Sequence, residues 1–273
     1  MTYYGTGNAE FRAGAAVART FSVFVRNFVP FALIALVLTS PTYLYTLLTL
    51  SFDGDGSEEI SMVDLGQVVV TIIGLLLYFL VTAALVYGTL KDLRGGKAGF
   101  GECFSQGLGR MFPVLGVAVV TYIAIFLAAL ALVIPGIYVA VMLWVTIPVA
   151  VVERRGIGSL ARSAELTSGY RWRILGALLI YLFVAMGISM LFGVVSAGLI
   201  FGSMGPDIFT SGADSPEQIL RGMGPMLYAI LAVDWVASAL ISMFGAILVA
   251  VSYHDLRVAK EGVDTDHIAS VFD

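Results

Sequence analysis

The chain has 273 residues, of which 59% are hydrophobic and only 12% charged, with a formal net charge of −4. A soluble domain carries about 25% charged residues, so a soluble fold is excluded; disorder is excluded with it, because disorder needs low hydrophobicity and high charge. Cys103 is the lone cysteine, which rules out a disulfide scaffold and leaves a polytopic membrane protein.

In chain order the first element is an amphipathic helix over 8–26. Phe11, Ala15, Ala18, Phe21, Val25 and Phe28 recur at helical spacing, while Arg12, Arg19 and Arg26 repeat every seven residues along another face. Asn8 is the expected N-cap and Glu10 suits the first turn. Such a helix is expected to lie in the headgroup plane as an anchor or packing helix, with a regulated lipid sensor as the alternative. No cleavable signal peptide is expected, because the first apolar stretch is too long and lacks a small-x-small cleavage site.

The spans follow from the gaps between charges. A helix needs about 20 apolar residues to cross a hydrocarbon core of roughly 30 Å. The charge-free stretches 27–52 and 65–90 suit one helix each, expected at 28–50 and 65–90. The stretch 111–152 would run about 63 Å as one helix, so it must fold back. Ile134-Pro135-Gly136 marks the expected turn, giving spans at 113–133 and 136–152. A fifth span is expected at 174–203 and a sixth at 225–253, followed by a tail over 254–273. Amphipathic stretches also precede the later hairpins: Phe100, Phe104, Leu108, Met111 and Phe112 before the second, and Leu160, Ala161 and Ala164 before the third. The fold class is therefore all-α, with six transmembrane helices in three hairpins.

Sign fixes orientation. Every Lys and Arg except Arg221 falls in the N-terminal segment, the second-to-third and fourth-to-fifth connections, or the tail. The opposite connections carry Asp53, Asp55, Glu58, Glu59 and Asp64, then Asp207, Asp214 and Glu217. The positive-inside rule puts both termini in the cytoplasm. The candidate headgroup contacts are Arg12, Arg19 and Arg26 at the N-terminus, and Arg94 and Arg110 in the next basic connection. Arg154, Arg155, Arg162, Arg171 and Arg173 follow in the third, and Arg257 in the tail. Two exits repeat the pattern D-L-R-x-x-K, at Asp92–Lys97 and Asp255–Lys260, with a weaker echo in Glu153-Arg154-Arg155. Its structural reading is an acid–base pair across a helix end with the base snorkelling to phosphate; its functional reading is a docking motif.

Asp234 is the one charge inside a span. It lies about 13 Å into the sixth helix, where an ionised carboxylate facing lipid costs about 2.5–3.5 kcal/mol. Steps of four through Ser238, Ser242, Ala246 and Ala250 form a small and polar ridge, so Asp234 is expected to face protein. It is read as a hydrated contact near the outer interface, as a proton or cation site, or as a partner contact, and Trp235 is a candidate to cover it. Gly198 and Gly202, and Ala124 and Ala128, are small-xxx-small pairs expected to pack neighbouring helices. Pro41 and Pro148 are the candidate interruptions of a transporter-like helix.

Three segments carry a family pattern: Ile134-Pro135-Gly136-Ile137-Tyr138, Ala161-Arg162-Ser163-Ala164-Glu165-Leu166-Thr167, and the run from Tyr253 through His254-Asp255-Leu256-Arg257 to Asp264. Together they resemble the bacterial membrane-domain family named after glycerophosphoryl diester phosphodiesterase. The resemblance implies a helical membrane module in a bacterial cytoplasmic membrane. It implies no activity, because the soluble barrel behind the name has no counterpart in the segments of this chain. The residues themselves make no case for catalysis, cofactor or metal. His254 and His267 lack zinc-site spacing, Gly96-Lys97-Ala98 is not a P-loop, and Gly156-Ile157-Gly158-Ser159 completes neither a dinucleotide fingerprint nor a nucleophile elbow. Basic residues at membrane boundaries in an acidic chain argue against nucleic acid. The expected role is a non-catalytic scaffold or accessory subunit that binds anionic lipid, a membrane-protein partner or a second copy. The alternative is a transporter or channel subunit using Asp234.

Overall fold

A computed structural model describes residues 10–52, 65–204 and 225–262. The Asn8 cap, both acidic connections, Arg221 and the tail beyond Gly262 lie outside the described residues. Within them every regular element is helical: α1 (Ala13–Arg26), α2 (Phe28–Phe52), α3 (Leu65–Leu93), α4 (Phe100–Ala131) and α5 (Val133–Met142). Then come α6 (Thr146–Glu153), α7 (Gly158–Thr167), α8 (Arg171–Met204) and α9 (Pro225–Glu261). Six helical segments are long and apolar enough to cross a membrane: Phe28–Leu48, Gly66–Leu93, Phe100–Ala131, Val133–Glu153, Arg171–Gly202 and Met226–Glu261.

The core lies where α3 and α9 pack together, with α2, α4 and α6 closing around them. Phe79, Leu85, Met243, Ile247 and Tyr253 are fully enclosed there. Glycine lets three of these helices meet closely. A Cβ at Gly88 would sit 2.8 Å from the Phe31 ring and 3.0 Å from the Cys103 sulfur, and one at Gly107 would meet the Ala84 backbone at 3.1 Å. Gly198 and Gly202, by contrast, have nothing within 4 Å. That pair does not pack a neighbouring helix among the described residues, because α8 buries only its N-terminal turns, through Ile174 and Ala177.

Prolines set the interruptions by acting four residues upstream, where the ring removes a hydrogen bond and crowds the carbonyl. The turn expected on Ile134-Pro135-Gly136 is instead the single extended residue Leu132, and Pro135 lies in the first turn of α5. Pro135 is incompatible with an unbroken helix through Ala131, and α4 ends at Ala131. Gly136 is needed for contact rather than for turning: a Cβ there would meet Ala129 Cα at 2.7 Å. Likewise the span expected as one helix over 136–152 is two helices, broken at 143–145, upstream of Pro148. Pro41 leaves α2 continuous, because Ser40 Oγ donates 2.8 Å to the Val37 carbonyl that the proline cannot reach. The break at 143–145 is sealed in the same way. The Met142 carbonyl accepts Ser163 Oγ at 3.1 Å and Thr167 Oγ1 at 3.0 Å, and the Leu143 carbonyl accepts Thr146 Oγ1 at 2.8 Å.

Two amphipathic expectations change. The stretch from Phe100 to Phe112 is not a separate interfacial helix but the start of α4, which runs on through Pro113. The first amphipathic helix begins at Ala13 rather than at residue 8, with Arg12 as an N-cap that makes no side-chain bond. It is docked rather than floating, because Ala16, Val17, Thr20 and Val23 are buried against the bundle. Phe11 is buried with them, whereas Phe21, Val25 and Phe28 remain on the exposed face. Finally, the D-L-R-x-x-K stretch of the tail is helical, as a continuation of α9 to Glu261.

Candidate functional site

The charged residues at the α3, α6 and α9 C-termini, on α1 and α7, and at the start of α8 gather at one end of the bundle. Seven residues of helix rise about 10.5 Å and return to nearly the same face, close to the 8–10 Å between packed helix axes. The heptad-spaced arginines of α1 therefore reach two neighbouring helices. Arg19 Nη1 donates to Asp255 Oδ1 on α9. Arg26 forks onto Asp92 on α3, with Nε donating 3.0 Å to Oδ1 and Nη2 donating to Oδ2. These are the aspartates of the two D-L-R-x-x-K repeats. Each is thus held by α1 and not by the base two residues along, which corrects the pairing expected within the motif. The hydrogen bonds from Arg26 to Asp92 raise its pKa above the ordinary guanidinium value despite partial burial.

The arginines of the repeats meet instead. Arg94 lies beside Tyr253 and Arg257, and burial lowers its pKa from the ordinary value. Arg257 Nε donates 2.9 Å to Glu261 Oε2 and Nη1 donates 3.2 Å to Tyr253 Oη. Tyr253 Oη in turn donates 3.1 Å to Glu153 Oε1. Arg162 on α7 ties this group together, bonded to Glu153, Glu165 and Glu261. Burial opposes its charge, but the surrounding carboxylates win and its pKa is raised. Arg155 pairs with Glu153 at 3.0 Å, and Arg173 with Glu10 at 3.0 Å.

This network divides the expected headgroup contacts. Arg110 is 6% exposed with its guanidinium over the Tyr87 ring, so it is a core residue and not a headgroup contact. Arg162 and Arg257 are committed to internal carboxylates and mostly covered, and Arg94 is half-buried. Arg19, Arg26, Arg155 and Arg173 are ion-paired yet keep an exposed flank. Arg171 donates to Tyr138 Oη and stacks over its ring at 4.8 Å. Arg12 and Arg154 stand exposed with no carboxylate partner among the described residues, as does Lys97, which motif reasoning passed over as a failed P-loop lysine. Exposed Phe112, Ile157 and Trp172 lie in the same segments as these charges.

Asp234 is also exposed, and so is Ser238. The ridge does not face protein along its length, which corrects the expectation. Steps of four advance about 40° each on a 3.6-residue helix, so a ridge from 234 to 250 winds nearly halfway round α9. Only its lower members, Ala246 and Ala250, are buried. Trp235 does not cover the carboxylate; it stacks on Tyr43 at 4.7 Å and donates 2.8 Å to Thr39 Oγ1 on α2. Ser242 is half-buried and lines a cavity of about 150 Å³.

That cavity collects Tyr78 and Thr82 from α3, Tyr122 from α4, Trp144 from the break, Tyr181 from α8 and Ser242 from α9. Tyr181 packs flat on Gly245, where a Cβ would come within 3.1 Å of its hydroxyl. The Trp144 indole N–H is buried with no acceptor among the described residues. No charged side chain lines the space, so it suits neutral hydrogen-bonding groups rather than an ion. Among the described residues no group of three His, Cys, Asp or Glu is placed to hold a metal. Comparison with models of known protein families, with curated proteins and with solved structures finds no match.

Proposed function

We propose that the chain is a non-catalytic integral membrane module of a bacterial cytoplasmic membrane whose basic end binds anionic lipid headgroups. Both termini are cytoplasmic in this reading, and the lipid-bound surface serves as a platform for a membrane partner. One observation carries it: the internal ion pairs neutralise the aspartates of both repeats, yet leave Arg12, Lys97 and Arg154 exposed and without a carboxylate among the described residues. Each such residue near an anionic surface contributes about 1 kcal/mol. Reversing Arg12 and Arg154 to Glu is therefore expected to weaken retention of phosphatidylglycerol at least tenfold, read as bound lipids per chain by native mass spectrometry. Equal retention by wild type and the double variant would sink this reading.

The cavity favours a second reading, a transporter or channel subunit acting on a small neutral solute. The fourth span breaks beside it, as helices do at transporter sites, although Asp234 lies outside the lining and supplies no carboxylate to it. Solute uptake into vesicles that is lost in Trp144→Phe and kept in Asp234→Asn would favour this reading over the first.

A further inference from the structure

We propose that the aromatic cavity is a lateral binding site for an uncharged, ring-shaped carbonyl compound dissolved in the bilayer, of the chemical class of the alkyl-tailed quinones. The proposal rests on the cavity that a solute transporter would also use. It claims binding and not transport, so a failure of solute uptake leaves it standing.

Depth sets what the cavity opens onto. Along continuous helices from the charged end, Tyr181 is ten residues beyond Arg171, Ser242 eleven before Tyr253 and Tyr78 thirteen before Lys91. At 1.5 Å per residue all three lie about 15–20 Å in, near the middle of a hydrocarbon core of roughly 30 Å. At that level the lining is not sealed: the Tyr78 side is 43% exposed and the Tyr122 side 49%. The opening has a structural cause, because α4 and α8 do not pack closely on one another among the described residues. Tyr122 from α4 and Tyr181 from α8 flank this gap, and their hydroxyls lie near that of Tyr78. Its α4 rim is apolar, with Ile123 and Phe126 exposed beside Tyr122, so a ligand reaches the cavity sideways from lipid and can leave an apolar tail there.

The lining sets what kind of head fits. Four aromatic side chains, Tyr78, Tyr122, Trp144 and Tyr181, form its walls, and aromatic rings favour a flat partner in offset or edge-on contact. A cavity of about 150 Å³ is the size that takes up benzene. No Asp, Glu, Lys or Arg faces it, so a charged head would be desolvated without compensation. Thr82 Oγ1 and Ser242 Oγ already donate to the Tyr78 and Ala239 carbonyls, at 2.8 and 2.9 Å. It is therefore the tyrosine hydroxyls that can turn a proton towards a ligand oxygen. A ring carbonyl accepts that bond, which a plain hydrocarbon ring cannot do.

Fluorescence in phosphatidylcholine nanodiscs tests this. Trp172→Phe and Trp235→Phe leave Trp144 as the sole indole, and a decyl-tailed benzoquinone is titrated into the bilayer. Quenching of Trp144 is expected to saturate with the quinone-to-lipid ratio. Tyr78→Phe, Tyr122→Phe and Tyr181→Phe together keep the rings but remove the hydroxyls, and are expected to raise the midpoint at least about fivefold. Ser242→Leu fills the space from α9 and is expected to remove the saturable component. Quenching that never saturates with the native lining would reduce the contact to random collision and overturn the proposal, whether or not the variants fold. An unchanged midpoint in the folded triple variant would overturn it too. Saturable quenching by a membrane-impermeant quinone sulfonate would show that the cavity opens to water. Full displacement of the quinone by an equal amount of dioctanoylglycerol would show a site for ester lipids. Either result would overturn the lateral quinone site.

Discussion

Replacing Arg26 by alanine isolates the tie between α1 and the core. Asp92 has a 6% exposed side chain and takes both arms of the Arg26 fork, whereas the Arg26 side chain is 57% exposed. Removing one partner of a fully buried pair costs about 3–5 kcal/mol, because a desolvated charge is stranded. Water reaches the Arg26 side, which roughly halves that figure to about 1.5–2.5 kcal/mol. At about 2–4 °C per kcal/mol for a chain of this size, Tm falls by about 3–10 °C. Arg12→Ala, which loses no carboxylate, stays within about 0.5 kcal/mol of wild type. The measurement is reversible unfolding of detergent-solubilised protein, followed by two probes whose transitions must coincide. A double-mutant cycle with Asp92→Ala separates the pair from the loss of each side chain, with an expected coupling of at least about 1 kcal/mol. Equal effects of Arg26→Ala and Arg12→Ala, or a coupling near zero, would refute the reasoning.

Three further outcomes follow from the packing. Gly136→Ala drives a Cβ into the Ala129 backbone and is expected to cost about 1–3 kcal/mol, while Gly198→Ala, in open space, is neutral in the same unfolding assay. Trp144→Phe removes part of an indole that packs against both core clusters, so it is expected to cost about 1–3 kcal/mol in the same assay; unchanged stability would mean that the surrounding side chains close over the space. Asp234→Asn leaves both stability and proton or sodium flux unchanged in vesicles with an entrapped indicator dye, since the carboxylate is exposed and outside the cavity. Flux in the wild type that the variant abolishes would restore Asp234 as a carrier site.

The apolar segments were legible because charges are expensive in hydrocarbon: the few that exist bracket the helices closely, and α3 and α8 begin or end within a few residues of the expected limits. Breaks were legible only as prolines. Pro135 and Pro148 were the correct residues, but a proline excludes helix upstream of itself, so the turn and the interruption fall before them. Amphipathicity misled at α4, where an apolar stripe facing α3 has the same period as one facing lipid. The clamp was half legible. The seven-residue spacing of the α1 arginines and the repeated D-L-R were both visible, yet only packing α3 beside α9 shows that one answers the other. The cavity was invisible, because Tyr78, Tyr122, Trp144 and Tyr181 come from separate helices and each reads alone as part of an apolar run. Asp234 shows the opposite failure: a ridge in steps of four holds one face for about two turns and then drifts away.

The central claim, that the basic end of the bundle holds anionic lipid, is tested most directly by photocrosslinking. Vesicles containing a phosphatidylglycerol analogue with a photoreactive headgroup, and matched vesicles containing the phosphatidylcholine analogue, are irradiated with the protein and the modified peptides are mapped. The account predicts that the anionic probe labels the segments carrying Arg12, Lys97, Arg154 and Trp172 several-fold more than the neutral probe. Equal labelling by both probes, or anionic labelling concentrated around Asp234, would contradict it.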